Sequence, residues 1–462
     1  MDMINLFEYQ NQEPFEADQF DELELFLDDI WNKREKSSYF SVSEDEELVE
    51  AQRFLQLLRK EHHLKSNKYV GVIHFNKQTI NLLPKVFFQN GKTYSEKDVR
   101  SINAHVLWWL SYCRKLRFPN YQTGLTNEKE DFFEILIYLF SKYTKQLLSS
   151  SIFQQYVNVE RDLNVVKGSV NFNAYVGNHI SRGNYHHIPC SYDSFELDNT
   201  LNRCIKQVAQ LLLTVSQDSQ SKRNLKDILF ILDEVSEESI TANQCRSIQF
   251  NPMFKEFETV RDYCVLFLEN SVSFNYKSSL QLFAFLLPME YVFEDFVFGF
   301  IQKEIEGLNA KAQVSNTFLD TNRDFALKPD LLLNYKNQHI VADTKYKVVN
   351  LNEDDSKKGL SQSDLYQMVS YAIRFESKKI ILFYPNSINA IEPCEIKTLQ
   401  IQDMLAEGQE IEVKAYQIPF IQTLELVAKQ DSNTIFKSFD TLRNSLKQNF
   451  IKIFDKQTKS NS

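Results

Sequence analysis

Glycine and proline are scarce in this 462-residue chain, with ten of each. Long Gly/Pro-rich linkers are therefore excluded, and the length predicts two or three packed domains. No G-x-x-x-x-G-K-[ST], G-x-G-x-x-G or G-x-S-x-G segment occurs. That removes a phosphate loop, a dinucleotide loop and a serine-hydrolase elbow from the candidates, so the chain is not expected to hydrolyse nucleotides itself. The six cysteines (Cys113, Cys190, Cys204, Cys245, Cys264 and Cys394) include no C-x-x-C pair. They are expected to be free buried thiols of a reducing cytoplasm. No basic-then-apolar leader opens the sequence. The most apolar stretch, 280–301, carries Glu290, Glu294 and Asp295 at its centre, which argues against a membrane span.

A basic excess is also lacking, since the net charge is −10. Residues 1–32 hold ten acids and no Lys or Arg, which leaves 62 − 10 = 52 acids against 52 bases in the rest. A neutral body with an acidic arm does not grip DNA tightly alone, because non-specific affinity comes from phosphate neutralisation. If the substrate is nucleic acid, a partner must supply part of the hold.

What is present centres on residues 324–346. Two apolar runs, Leu331–Leu333 and His339–Ala342, flank the polar turn Lys336-Asn337-Gln338, the signature of a β-hairpin. Asp330 opens the first strand, while Asp343 and Lys345 close the second. Residues two apart share a face of a strand, so Asp343 and Lys345 point together and Thr344 points away. The hairpin brings Asp330 back beside Asp343 at one open end. Two close carboxylates repel, and so favour a hard, oxygen-binding cation such as Mg²⁺. A metal there activates water for phosphodiester hydrolysis, and Lys345 is suited to hold the water or the phosphate. The pattern Pro-Asp…Asp-X-Lys resembles that of PD-(D/E)XK nucleases. A surface hairpin with a salt bridge is the alternative reading of the same letters.

Around that hairpin the periodicities predict an amphipathic acidic helix over 17–31, a helix start capped by Ser43, and a hairpin within 69–88. Helices are expected over 97–118 and 126–150. The basic loop between them carries Arg114, Lys115 and Arg117, as either a solvated connection or a contact to partner or nucleic acid. A strand over 163–176 and helices over 199–215, 224–235 and 255–270 follow. Met289, Val292, Phe293, Phe296, Val297 and Phe300 make an apolar helix stripe with Glu290 and Glu294 beside it. A carboxylate there must be solvated, paired or on a metal, so Glu294 is a candidate third ligand. Ser363 is expected to cap a helix to about Phe375, with Asp364, Gln367 and Tyr371 on one face. Strands over 379–384 and 412–418 and a closing helix over 431–455 complete the chain.

The ordered series of segments resembles the McrC family, the nuclease subunits of McrBC modification-dependent restriction systems. The likeness lies in Leu83-Pro84-Lys85, Val166-Lys167-Gly168-Ser169-Val170, Arg182-Gly183, Pro189 to Glu196, and Asn199-Thr200-Leu201-Asn202-Arg203. It continues in Met289…Phe293-Glu294, Lys328-Pro329-Asp330, Asp343-Thr344-Lys345 and Asp364 to Met368. The resemblance implies an α+β multidomain chain, with a β-rich and helical partner-binding region followed by a PD-(D/E)XK core on a mixed sheet. The expected boundaries are 1–60 (acidic helical extension), 61–275 (partner-binding region), 276–425 (nuclease) and 426–462 (C-terminal helix and tail).

The family implies a bacterial, cytoplasmic Mg²⁺-dependent DNA endonuclease that yields a 3′-hydroxyl and a 5′-phosphate. It works with a hexameric AAA+ GTPase, McrB, which binds the GTP, recognises modified cytosine in double-stranded DNA and is stimulated by McrC. By position, Asp330, Asp343 and Lys345 match the catalytic set and Glu294 the helix acid. The Thr344 main-chain carbonyl is a further expected metal ligand, and Gln367 and Tyr371 resemble a helix motif that places DNA. A non-catalytic activator of the GTPase and a stand-alone repair nuclease are the other readings.

Overall fold

A computed structural model describes residues 3–33, 54–75, 78–114, 132–275, 281–312, 317–320, 322–336, 338–349, 357–403, 409–428 and 438–459. The chain divides into two compact units. One comprises Met1–Leu136 with Glu269–Ser462, and the other Ile137–Leu268.

The first unit holds two larger sheets. In one, the strands run in the order Met3–Phe7, Gln78–Leu83, Tyr69–Phe75, Gln281–Pro288, Ser271–Asn275. The expected hairpin over 69–88 is its centre. The N-terminal segment differs from the helical extension expected there. Met3–Phe7 pairs in parallel with Gln78–Leu83, with Phe7 opposite Leu83, and a helix follows only at Phe20–Lys33. That helix buries Phe20, Leu23, Phe26 and Leu27, as an amphipathic stripe should. The proposed cap at Ser43 lies outside the described residues.

The second sheet is mixed and six-stranded. Its order is Leu308–Ala312, Leu331–Tyr335, Gln338–Thr344, Lys379–Pro385, Gln409–Ile418, Cys394–Asp403. The middle strands pair in parallel, Gln338–Thr344 with Lys379–Pro385 and that with Gln409–Ile418. Central strands covered on both faces read as continuous apolar runs, and residues 340–344 are all buried. The helix Gln362–Arg374 covers one face through Met368, Tyr371 and Ala372, which pack with Ile380 and Leu382. Phe450 and Phe454 of the helix Asp440–Lys459 cover the other, with ring centroids 5.2 Å (Phe450–Phe383) and 5.8 Å (Phe454–Tyr335) apart.

The helix Met289–Glu304 follows directly on the strand Gln281–Pro288 and is buried continuously from Asp295 to Ile301. It packs closely on the chain after the helix Glu96–Leu110. At Gly299 a Cβ would lie 1.9 Å from the carbonyl oxygen of Tyr112, so this crossing accepts no side chain there. Among the described residues, no helix is long and apolar enough to cross a membrane.

The helices Thr200–Val215 and Phe257–Asn270 match the expected ones closely, whereas Ser219–Ile231 begins and ends four to five residues before the helix expected over 224–235. Of the strand expected over 163–176 only Ser169–Val170 is extended, pairing with Ser191 and Cys190; the longer strand lies earlier, at Gln155–Leu163, and pairs with Ile188–Glu196 along its whole length. All six cysteines are free and five are buried.

Candidate active site

The hairpin folds as its alternation predicts. Leu331 pairs with Ala342, Leu333 with Ile340 and Tyr335 with Gln338. The turn is tighter than expected, since Gln338 already belongs to the second strand, and Lys336 adopts a φ of 49°. One step beyond the Leu331–Ala342 pair lie Asp330 and Asp343, so strand register alone brings the two acids together.

Asp330 is anchored on one side. Its Oδ2 accepts hydrogen bonds from the Thr344 amide and hydroxyl, both at 2.7 Å. Asp343 is 1% exposed. The Lys345 ammonium lies 2.6 Å from its Oδ2 as an ion pair, yet this oxygen receives no well-directed hydrogen bond. Lys345 Nζ also donates to Gln367 Oε1 at 3.1 Å. Gln367 Nε2 donates to the Tyr371 hydroxyl at 2.7 Å, which in turn donates to the carbonyl of Lys328 at 3.2 Å. The i, i+4 spacing of Gln367 and Tyr371 thus becomes a polar chain running from the ammonium to the approach of the first strand.

The electrostatics follow from this crowding. Burial pushes the Asp330 carboxyl up to about 6, and Glu294 raises it further, against the Thr344 bonds and Lys345. Burial likewise pushes Asp343 up to about 7, with Asp330 as the next contributor and Lys345 opposing. Burial disfavours the Lys345 charge, but Asp343 and Asp330 outweigh it and hold its pKa above the ordinary lysine value. Two acids held close together, one of them buried, are under-compensated by one lysine.

An oxygen-only donor set, in which Asp343 Oδ2 is met by the Lys345 ammonium alone and without a well-directed hydrogen bond, fits a hard divalent cation. Among the described residues, no three of His, Cys, Asp and Glu already enclose a metal. Mg²⁺ needs no such cage, because one or two carboxylates with water and substrate phosphate suffice. Glu294 sits half-buried on the helix Met289–Glu304 and acts on Asp330 through its charge; it is not part of a ready three-carboxylate cup.

Other expected site residues fall elsewhere. Arg114 is turned inward rather than presented on a solvated loop. Its amide donates to Asp295 Oδ2 at 2.6 Å, its Nε to Oδ1 at 2.8 Å, and its guanidinium lies 3.7 Å from the Phe298 ring centroid. Lys115 and Arg117 lie outside the described residues. The helix over 362–374 is capped by Ser361, whose hydroxyl accepts the Asp364 amide at 3.2 Å, and not by Ser363. Asp364 meets Lys347 at 2.9 Å. Sequence reasoning missed Lys347 and the Thr344 hydroxyl. The alternation that aims Lys345 at the helix aims Lys347 there too, and that was the available signal.

Comparison with known proteins places this architecture. A chain in the refined half-complex from the tetradecameric assembly of Thermococcus gammatolerans McrB AAA+ hexamers with bound McrC is similar in fold. Its TM-score is 0.61 at 17% identity, over 96% of this chain and 99% of that one. A chain of the cryo-EM structure of the Thermococcus gammatolerans McrBC complex matches at a TM-score of 0.45 and 17% identity, over 66% and 88%. No curated protein matches. A family model described as the McrBC 5-methylcytosine restriction system component matches residues 64–385. The chain belongs to that family.

Proposed function

We propose that this restriction-system component is the nuclease subunit, a Mg²⁺-dependent endonuclease of the PD-(D/E)XK type acting on double-stranded DNA that carries modified cytosine. The observation that carries this reading is the mutually repelling pair of the half-buried Asp330 and the buried Asp343, closed by Lys345 at the open end of a hairpin in a mixed sheet. A structural site has no need of such a pair, because apolar side chains would be more stable there.

Asp330, Asp343 and the Thr344 carbonyl would hold the metal, with Glu294 beside them. When bound, the metal supplies a nucleophilic water and neutralises charge on the scissile phosphate. The Thr344 amide and hydroxyl hold Asp330 in place. Lys345 offers an ammonium to the attacking water or to a phosphate oxygen. Gln367 fixes that ammonium and presents its helix face to the substrate. Asp343 and Asp330, both held above the ordinary carboxylate range, would hold the metal only in their deprotonated form.

The partner proposed is a hexameric AAA+ GTPase of the McrB kind. In the second unit, the paired strands Gln155–Leu163 and Ile188–Glu196 and the chain between them form an arm with exposed apolar side chains. Tyr156, Val165 and Phe172 are 72%, 73% and 70% accessible. Apolar surface of this extent marks a protein-interaction site. Several of the stretches that resemble the McrC family lie on this arm, from Val166 to Glu196. The neutral body outside residues 1–32 fits a subunit that relies on a partner for DNA affinity.

The test is cleavage of methylated plasmid by the chain mixed with its neighbouring GTPase, GTP and Mg²⁺, with wild type beside Asp343→Ala. Cutting by wild type alone supports the reading. No cutting by either, with GTP turnover still stimulated, would establish the non-catalytic activator instead.

A further inference from the structure

Glu8 has no place in the chemistry above, yet it is only 1% exposed. It follows the strand Met3–Phe7, and its amide donates to the Leu83 carbonyl at 3.0 Å, continuing the parallel pairing. Its Oε2 accepts two hydrogen bonds, from the Lys85 amide at 3.1 Å and from the Tyr346 hydroxyl at 2.9 Å. The Lys85 ammonium sits 4.4 Å from the Tyr346 ring centroid. Burying a carboxylate costs free energy that an apolar side chain in the same place would not. The acceptor is therefore retained for what it holds.

What it holds is the residue after Lys345. Side chains alternate along an extended segment. Lys345 and Lys347 reach the helix Gln362–Arg374 through Gln367 and Asp364. Tyr346 points the opposite way, into a buried nest with Phe293 and Phe420, whose ring centroids lie 5.9 and 6.4 Å from its own. The Lys345 amide donates to the Phe383 carbonyl at 2.8 Å and that of Lys347 to the Lys345 carbonyl at 2.8 Å. The Tyr346–Glu8 bond is the polar contact that fixes the rotation of this segment from its buried side.

We propose that Glu8 and Tyr346 are positioning residues for Lys345: their buried hydrogen bond sets the twist of residues 345–347 and thereby holds the Lys345 ammonium on Asp343. The inference rests on the nuclease reading for its consequence, but not for its geometry. It also gives Lys85 of the Leu83-Pro84-Lys85 stretch a role, as the second donor to Glu8 and the cation over the Tyr346 ring.

Two readouts test it on the full chain, with variants Glu8→Met, Tyr346→Phe and Glu8→Gln. Glu8→Met keeps the volume and removes the acceptor, whereas Glu8→Gln keeps an acceptor oxygen. The first readout is the rate of acylation of Lys345 by a succinimidyl ester, followed by mass spectrometry, with exposed Lys336 as internal reference. Lys345 is expected to label about fivefold faster in Glu8→Met and Tyr346→Phe, and Glu8→Gln to restore the slow rate. The second is cleavage with the GTPase partner, where kcat is expected to fall about tenfold in the first two variants, with DNA Kd and GTP turnover within about twofold of wild type. Unchanged Lys345 labelling in Glu8→Met overturns the proposal. So does faster labelling of all lysines alike, or Glu8→Gln behaving as Glu8→Met does. If wild type cuts no DNA, the nuclease reading fails, and the Lys345 labelling alone still decides the positioning role.

Discussion

Two contacts of a buried acid with a base in the first unit, Asp295 with Arg114 and Asp343 with Lys345, differ in a way that separates structure from chemistry. Asp295 receives the Arg114 amide on one oxygen and the Arg114 Nε on the other. Both lone-pair sets are used, and the planar guanidinium matches the carboxylate. Asp343 is as deeply buried, but it has a lysine at 2.6 Å, a second acid across the hairpin and an oxygen without a directed donor. The first pair is complete as folded. The second is under-compensated as folded, and its raised carboxyl is the physical mark of that deficit.

Breaking the second pair should give the largest functional effect. Asp343→Asn is expected to lower the cleavage rate by at least about a thousandfold, with stimulated GTP turnover retained. The same variant should melt about 2–4 °C higher than wild type without metal, because one of two repelling charges is gone. A lower melting temperature would mean that the pair is not repulsive.

Breaking the first pair should do the opposite. Arg114→Ala leaves Asp295 uncompensated and is expected to cost about 2 kcal/mol, discounted because Arg114 is a third exposed. Urea denaturation measures this, and Asp295→Asn in the same chain should recover part of the loss. Cleavage per folded molecule is expected to stay unchanged.

Metal and pH sharpen the contrast. Asp330 and Asp343 hold protons more tightly folded than unfolded, so the stability they contribute is full below about pH 4 and is lost as pH rises through about 6 to 7. At pH 8, Mg²⁺ should therefore raise the melting temperature of wild type by about 2–4 °C, and chelation should reverse it. Asp343→Asn should lose most of this response, and an equal response would place the metal elsewhere.

The smallest effect concerns His105, a third way of burying a titratable group. Its Nδ1 donates to the Ser101 carbonyl at 2.7 Å and its Nε2 accepts the Gln422 amide at 3.2 Å, so the neutral ring is satisfied. Burial lowers its pKa to about 4. A depressed histidine contributes stability that is full above pH 6.5 and is lost as pH falls toward 4. His105→Gln should flatten the melting-temperature slope across that window.

The site hairpin was legible because its information is local. Alternation, a short polar turn and acids at the strand ends all lie within two dozen residues, and Gln367 and Tyr371 follow from helix spacing. Long-range pairing was not legible. Nothing in Met3–Phe7 announces a parallel partner at Gln78–Leu83, and the acidic composition around it suggested an extension. The strand Cys394–Asp403 escaped because a bulge between Glu395 and Lys397 shifts its register against Gln409–Ile418, which breaks the period-two pattern. Arg114 looked like part of a basic loop because its partner, Asp295, lies 181 residues away.

The Glu8–Tyr346 bond joins residues 338 apart. At ordinary ribosomal rates of about 5–20 residues per second, Glu8 waits roughly 17 to 70 s for Tyr346 to be made. The hairpin end is thus among the last parts of the first unit to be assembled during synthesis, after most of the second unit has already left the ribosome. A truncated or stalled chain would carry the arm of the second unit without a positioned Lys345.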